Sequence, residues 1–348
     1  MKVLIDIGHP GHVHFFKHAV WELQKRGHEV IFAAREKDVT LQLLEHYGFE
    51  SYTLTAIGNG RLGLYREFIQ REIGLTKLIK QYKPDVVTGI GGEFVTPVAR
   101  LFGIPSIVFT DSEPVPIDNL LTYPIATAIC TPSCFEKNLG KKQIRYNGYH
   151  ELAYLSPDYF APDPNVLKEI GVTDEPFSIL RFVAWKASHD IGQKGLSIER
   201  KRDIIQTLKR YGRVFITSET KLPEEFEAFR LNLPAHRVHD LMYYAQLFMG
   251  DGATMATEAA ILGTPAVRSS SMALNMGNFV ELMNRYQLVY SYYDPEEALA
   301  KAINILELPN SKQIWQFKRD KMLAEKIDVT QFVIDNLTKA SKLIGNSH

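Results

Sequence analysis

The sequence predicts an α/β protein built from two doubly wound parallel-sheet domains, and three observations lead there. The chain has 348 residues, long for one core and natural for two domains of roughly 150 residues each. Short apolar runs alternate with longer stretches of helical period in both halves, the order that produces right-handed crossovers and parallel strands. Between the halves Pro157, Pro162, Pro164 and Pro176 interrupt the alternation, which then restarts. The expected organisation is a first domain over 1–156, a linker over 157–176, a second domain over 177–326 and a terminal helix over 327–348 that packs back on the body.

In the first half, Val3 to Ile7 is apolar except for Asp6 and reads as a strand covered on both faces. Val13, Phe16, Val20 and Leu23 then recur at helical spacing, with Gly27 placed to stop the helix. Further strands are expected at Glu29–Ala34, Asp85–Ile90, Ser106–Phe109 and Ala126–Cys130. In the second half, strands are expected at Ser178–Ala184, Arg213–Thr217, Leu247–Gly250 and Pro265–Arg268, with a charged helix from Glu199 to Arg210. The tail from Asp328 carries Val329, Phe332, Val333, Leu337 and Ile344 in a helical stripe.

Composition narrows the function classes. Forty Lys plus Arg balance forty Asp plus Glu, which argues against a dedicated nucleic-acid binder. Only Cys130 and Cys134 are present, so a disulfide framework and CxxC zinc pairs are excluded. No apolar run approaches the roughly 18 residues that cross a bilayer. The opening MKVLIDIGHPGH lacks the apolar core of a secretory leader. The expected location is therefore cytoplasmic.

In open parallel sheets, ligands bind beyond the carboxyl ends of strands, where loops run into helix N-termini. Two loops stand out. The first, Gly8-His9-Pro10-Gly11-His12-Val13-His14, follows strand one; His9, His12, His14 and His18 crowd around it. Its glycines permit close backbone approach, the helix start attracts anions, and imidazole suits proton transfer near neutral pH. A zinc site through His14 and His18 is the weaker reading, because no Cys or carboxylate-rich partner lies nearby. The second loop, Gly250-Asp251-Gly252-Ala253-Thr254, opens a helix of small residues that ends before Gly263. Small side chains there leave the N–H groups bare for a diphosphate. Glu258 lies one turn beyond Thr254, about 5.4 Å along the axis, and is placed for ribose hydroxyls or, equally, as an acid complementing the helix dipole.

The segment GDGATMATEAAILGTP resembles the nucleotide-sugar motif in the C-terminal domain of GT-B glycosyltransferases and of UDP-N-acetylglucosamine 2-epimerases. GHPGHVHFFKHAVWELQKRGHEV resembles the N-terminal loop and helix of MurG-type and UDP-glycosyltransferase enzymes. Over nearly its full length the chain resembles the prokaryotic family catalogued as domain of unknown function 354. The resemblance implies a GT-B-like fold of two Rossmann-like domains facing a central cleft. It further implies a nucleotide-sugar donor held by Gly252, Ala253 and Thr254, with Glu258 on the ribose and Gly11 in the facing loop. Lys186, Ser188 and His189, after the first strand of the second half, are expected to reach a phosphate. No metal or other cofactor is implied, since helix ends and basic side chains stabilise the leaving diphosphate.

Three functions stay open on these residues. In an inverting glycosyltransferase, His12 is the expected base toward a glycan or lipid-linked acceptor, with Asp111 or Glu113 orienting it. In a UDP-sugar 2-epimerase or hydrolase, Glu93, Asp111 and Glu113 after strand ends carry the proton transfers and His189 a third polar position, although the epimerases' own N-terminal Gly-Thr-Arg-Pro-Glu pattern is replaced by GHPGH. A non-catalytic nucleotide-sugar or glycan-binding protein needs the Gly252 turn alone. The stretch Arg61 to Lys83 carries six basic residues against two Glu, with Leu62, Phe68, Ile69, Ile73, Leu78 and Ile79 along it. An ordinary helix with a solvated basic side is expected there, the second reading being peripheral contact with the inner face of an anionic membrane. No oligomeric state is legible.

Overall fold

In the computed structural model, residues 1–56, 58, 60–113, 120–182, 196–218, 221–270 and 276–345 are described. The chain divides into two compact units, Met1–Tyr154 with Ile327–His348, and Leu155–Lys326.

The first unit is built on a seven-stranded parallel sheet in the order β3-β2-β1-β4-β5-β6-β7. Its strands are β1 (Lys2–Ile7), β2 (Glu29–Glu36), β3 (Ser51–Ala56), β4 (Val86–Ile90), β5 (Ser106–Phe109), β6 (Ala128–Pro132) and β7 (Gln143–Tyr146). Val3, Leu4, Ile5 and Ile7 of β1 have no solvent exposure, as a central strand between two helical layers requires. Helix α1 (Pro10–Lys25) starts at the His9 cap with Pro10 in its first turn, and Gly27 follows its end at φ +79°. Val13, Phe16, Val20 and Leu23 are buried on its inner face, at the spacing the sequence displays. On the other face, α3 (Gly60–Tyr82) and α4 (Val95–Leu101) cover Leu4, Ile31, Ala33 and Val87 with Leu75, Leu78, Ile79, Val95 and Val98. The last helix, Val329–Gly345, belongs to this unit and packs on α1, β4 and β5.

The expected solvated basic side of α3 is present, with Arg66, Lys77 and Lys80 exposed, but the helix departs from an ordinary one in what it buries. Its charged residues Glu67 and Arg71 are buried, whereas Leu62, Tyr65, Ile69 and Ile73 are exposed. Leu78 and Ile79 alone of the apolar residues expected along it are fully inside, because the first three turns face the polar end of the sheet.

The second unit carries a five-stranded parallel sheet in the order β12-β11-β10-β8-β9. Its strands are β8 (Phe177–Arg181), β9 (Arg213–Thr217), β10 (Leu247–Gly250), β11 (Ala266–Ser269) and β12 (Val289–Tyr292). A nine-residue helix, Ala253–Ile261, follows β10, and Gly263 at φ +71° turns the chain into β11. The proline-rich segment contributes a short helix, Asn165–Glu169. Arg237 ties it to the second unit through Asp163, Glu169 and Asp240.

Leu337 lies in the middle of the last helix and is fully buried. Leu337→Ala is expected to destabilise the first unit by about 2–5 kcal/mol, the cost of a cavity in a packed core. Chemical denaturation of the variant checks it; an unchanged transition would detach this helix from the core.

Candidate functional site

The strand order of the first sheet reverses direction between β1 and β4, and a crevice opens at the carboxyl ends of the strands on either side of such a point. There the loops after β2, β1, β4 and β5 surround a hollow of about 300 Å³. It is lined by Asp6, Gly8, His9 and His12 from β1 and its loop, and by Arg35 and Lys37 after β2. Glu93 and Phe94 follow β4, and Asp111 and Ser112 follow β5.

Beneath the hollow lies a buried ion-pair system. The Arg71 guanidinium, with no solvent exposure, donates to Asp6 Oδ1, to the Ile7 carbonyl (3.1 Å) and to Thr55 Oγ1 (3.4 Å). It also lies 4.8 Å from the centre of the Phe94 ring. Burial raises the Asp6 carboxyl above the ordinary aspartate value, and Arg71 opposes that rise without cancelling it. One turn earlier, Glu67 accepts from Arg35 Nη2 (2.8 Å) and from the Gly58 amide (2.9 Å). Glu72, beside Asp6, is pushed up to about 7 by burial and by the Asp6 charge, and its buried Oε1 has no hydrogen-bond partner among the described residues.

His9 and His12 are held by the helix they begin. His9 Nδ1 accepts from the Gly11 amide (3.1 Å), and His12 Nδ1 accepts from the Gly8 amide (3.2 Å). The Gly11 amide, expected to meet a ligand, is thus occupied by the cap. Burial lowers the His12 pKa well below the usual imidazole value, and the charges of His9, His150, Lys37 and Arg71 lower it further. His14 packs between Tyr47 and Tyr154, and His18 lies against Trp21, each in an aromatic setting.

Glu93 is presented by Gly91 and Gly92, at φ +78° and +83°. A Cβ on Gly92 would stand 2.5 Å from Val108 Cγ1, so both its φ and the close approach require glycine. Asp111 Oδ2 is 3.6 Å from His150 Nδ1, and Ser112 Oγ donates to Asp111 Oδ1 (3.2 Å). His150 is buried; burial lowers its pKa and the Asp111 charge works the other way. Glu113 does not line the hollow. Its Oε1 accepts from the Glu136 amide (3.2 Å) and its carbonyl from Lys137 Nζ, which ties it to the segment after β6. The structure therefore brings His12, Glu93 and Asp111 together and turns Glu113 elsewhere. Arg71 and His150 join the site without any sequence signal, because each is placed by long-range packing, whereas Arg35 and Lys37 follow an expected strand end that the sequence reading did not use.

In the second unit, the sheet reverses direction between β10 and β8, and the Gly250–Thr254 turn follows β10. A Cβ on Gly250 would come 2.4 Å from the Arg181 carbonyl, so only glycine fits. Gly252 caps the helix without a side chain to close it, Ala253 is half-buried and Thr254 is exposed. Arg268 Nε donates to the Asp251 carbonyl (3.2 Å) and braces the turn from β11. Glu258 is not presented openly. It is buried, with Oε1 3.0 Å from His239 Nε2. Lys186, Ser188 and His189 lie outside the described residues.

Glu72 offers a test of the charge balance behind the hollow. A carboxyl whose folded pKa stands near 7 instead of 4.5 contributes stability below about 4.5, and loses it as pH rises through about 7. Glu72→Gln is therefore expected to gain on the unmodified chain across that interval, by about 1–3 kcal/mol, and to keep a constant lead above it. Urea unfolding at several pH values reads the difference; a lead that does not change with pH would return Glu72 to solvent.

Relatives extend this picture. The Uncharacterized protein MJ0665 of Methanocaldococcus jannaschii is 27% identical over 280 residues, 77% of this chain and 81% of that protein. The structure of UDP-GlcNAc 2-epimerase from Neisseria meningitidis bound to UDP-GlcNAc matches with a TM-score of 0.67 at 16% identity, over 100% of this chain and 99% of that one. The structure of Acinetobacter baumannii MurG gives a TM-score of 0.58 at 18% identity, over 97% of this chain and all of that one (100%). The fold is thus that of the GT-B glycosyltransferases and UDP-GlcNAc 2-epimerases, as the two glycine-rich loops suggest. The family described as Protein of unknown function (DUF354) matches residues 1–342, and the chain belongs to it.

Proposed function

We propose that the chain is a GT-B type glycosyltransferase. It transfers a sugar from a nucleoside diphosphate donor, a UDP-sugar in the first instance, to a hydroxyl of a glycan or lipid-linked acceptor, without a metal. The carrying observation is the start of the helix Ala253–Ile261. It is built from Gly252, Ala253 and Thr254, of which Thr254 is exposed, at the reversal point of a parallel sheet. Bare N–H groups and the positive end of the helix dipole suit a diphosphate in the ground state and, more strongly, as it leaves. The hollow after β1 supplies the polar groups an acceptor hydroxyl needs. The exposed Leu62, Tyr65, Ile69 and Ile73 of α3, with Arg66, Lys77 and Lys80 exposed on the same helix, support contact with an anionic membrane that carries a lipid-linked acceptor.

A second reading, 2-epimerisation of the UDP-sugar, draws support from the two carboxylates Glu93 and Asp111 in one hollow. Incubation with a panel of UDP- and dTDP-sugars separates the readings. Release of nucleoside diphosphate that requires an added acceptor is the expected result. A changed sugar without acceptor supports epimerisation, and binding without turnover a carrier. Failure to bind any nucleotide-sugar ends the proposal.

Glu258 gives a sharper check on the donor side. Glu258→Gln keeps the side-chain shape, and UDP affinity is expected to fall by about 1–3 kcal/mol if the carboxylate meets the ribose. Calorimetric titration that finds wild-type affinity would leave Glu258 as the structural partner of His239 alone.

A further inference from the structure

The proton inventory of the hollow after β1 does not match a histidine base. A general base must present a lone pair toward the substrate. The neutral imidazole ring has one, on whichever nitrogen lacks the proton. In His12 that lone pair is already used, since Nδ1 accepts from the Gly8 backbone amide at 3.2 Å. A backbone amide can only donate, so Nδ1 carries no hydrogen and Nε2 carries it. The other tautomer would set two N–H groups against each other. Among the described carboxylates around the hollow, Asp6 is held by Arg71. Asp111 is turned to His150 Nδ1, and Glu113 to the Glu136 amide. The groups whose charges reach His12 are His9, His150, Lys37 and Arg71, every one of them a base.

We infer that His12 acts as a neutral hydrogen-bond donor through Nε2, set with Lys37 to hold an anionic oxygen of the acceptor, and that Asp111 takes the acceptor's proton. The inference rests on the transferase reading for its chemistry, but not for its tautomer. Lys37 lines the same hollow, and its ammonium forms no ion pair with any described residue. A neutral donor beside an uncompensated cation suits a phosphate or carboxylate oxygen, the group that gives the acceptor its orientation. Asp111 lines the hollow with Oδ1 accepting from Ser112 Oγ (3.2 Å) and Oδ2 facing the buried His150 Nδ1 at 3.6 Å. Each oxygen retains a second lone pair for the incoming proton.

The step then balances. The acceptor hydroxyl oxygen bonds to the anomeric carbon as the bond from that carbon to the diphosphate oxygen breaks. The breaking bond's electron pair leaves with the nucleoside diphosphate, and the hydroxyl proton passes to Asp111. His12 neither gains nor loses a proton.

Two measurements test this. Nitrogen NMR of the full chain with ¹⁵N-histidine, assigned by loss of a signal in His12→Gln, reads the tautomer directly at neutral pH. Protonated Nε2 with bare Nδ1 is expected, and a protonated Nδ1 overturns the inference whether or not the chain turns over any sugar. The second measurement compares variants in the acceptor-dependent reaction. Glutamine places an amide N–H close to where the imidazole Nε2–H stood, yet cannot accept a proton. His12→Gln is therefore expected to raise the acceptor KM, to lower kcat by no more than about tenfold and to retain the acid limb of the pH profile. Asp111→Asn should lose about 10²–10⁴-fold in kcat and abolish the acid limb of the pH profile. If His12→Gln falls as far as Asp111→Asn, or if the acid limb survives in Asp111→Asn, the assignment is wrong. Loss of every nucleotide-sugar reaction in the unmodified chain would instead strike the transferase reading and leave the tautomer result standing.

Discussion

A fully buried guanidinium under the carboxyl end of β1 is the constraint on which the first unit's functional end depends. Arg71 has lost its water, a cost that a single carboxylate offsets only with good geometry and further hydrogen bonds. It has both: Asp6 on β1, the carbonyl of Ile7 one residue on, and Thr55 on β3. Four residues earlier on the same helix, Glu67 pairs with Arg35 at the end of β2. Residues spaced i and i+4 share a face, so one face of α3 clamps the carboxyl ends of β1, β2 and β3. The loops that leave β1 and β2 carry His9, His12 and Lys37. Their positions are set by this clamp before any ligand arrives, which is what a site must have if it is not to spend binding energy on ordering itself.

Burial, more than the clamp's charges, sets the charge state of the site. Arg71, Arg35 and Lys37 lie at or below the hollow, and burial removes the water that would screen them. Burial is the main cause that holds His12 and His150 below the ordinary histidine range; the Lys37 and Arg71 charges add to it for His12, and the Asp111 charge opposes it for His150. The carboxyls respond oppositely, with Asp6 and Glu72 raised by burial. Burial thus favours the neutral form of the histidines and of these two carboxyls alike.

How far this was legible in the sequence depends on the range of the interactions involved. Strands β1, β4, β5, β8, β10 and β11 announce themselves because their apolar runs are continuous, as central parallel strands demand, and β9 does so although it lies at an edge. Strands β3, β7 and β12 escape notice. They lie at the edges of their sheets, and Ser51–Ala56 and Gln143–Tyr146 are partly exposed and correspondingly polar. His12, Glu93 and Asp111 were legible because each follows a recognisable strand end. His150 sits in a segment with no such marker and reaches Asp111 across thirty-nine positions of sequence. The inside-out character of α3 was illegible for the same reason. Nothing local reveals that Glu67 and Arg71 have partners at positions 35 and 6, and without partners a helix would keep them in water.

The turn after β10 shows the opposite limit, where the sequence is informative because the chemistry is backbone chemistry. Gly250 is required by the Arg181 carbonyl it passes, and Gly252 and Ala253 bring no bulky side chain to the helix start. What these positions offer a ligand is the absence of side chains, and absence is visible in a string of letters. Glu258 belongs to the other kind. Its neighbours in sequence mark it as one turn inside a binding helix, yet its carboxylate lies against His239, nineteen residues upstream on a different helix. A buried acid paired in this way orders the helix whether or not it also meets ribose. The proposed diphosphate subsite rests on main-chain groups that need no such pairing, so the donor-binding proposal depends on the turn itself and not on the glutamate.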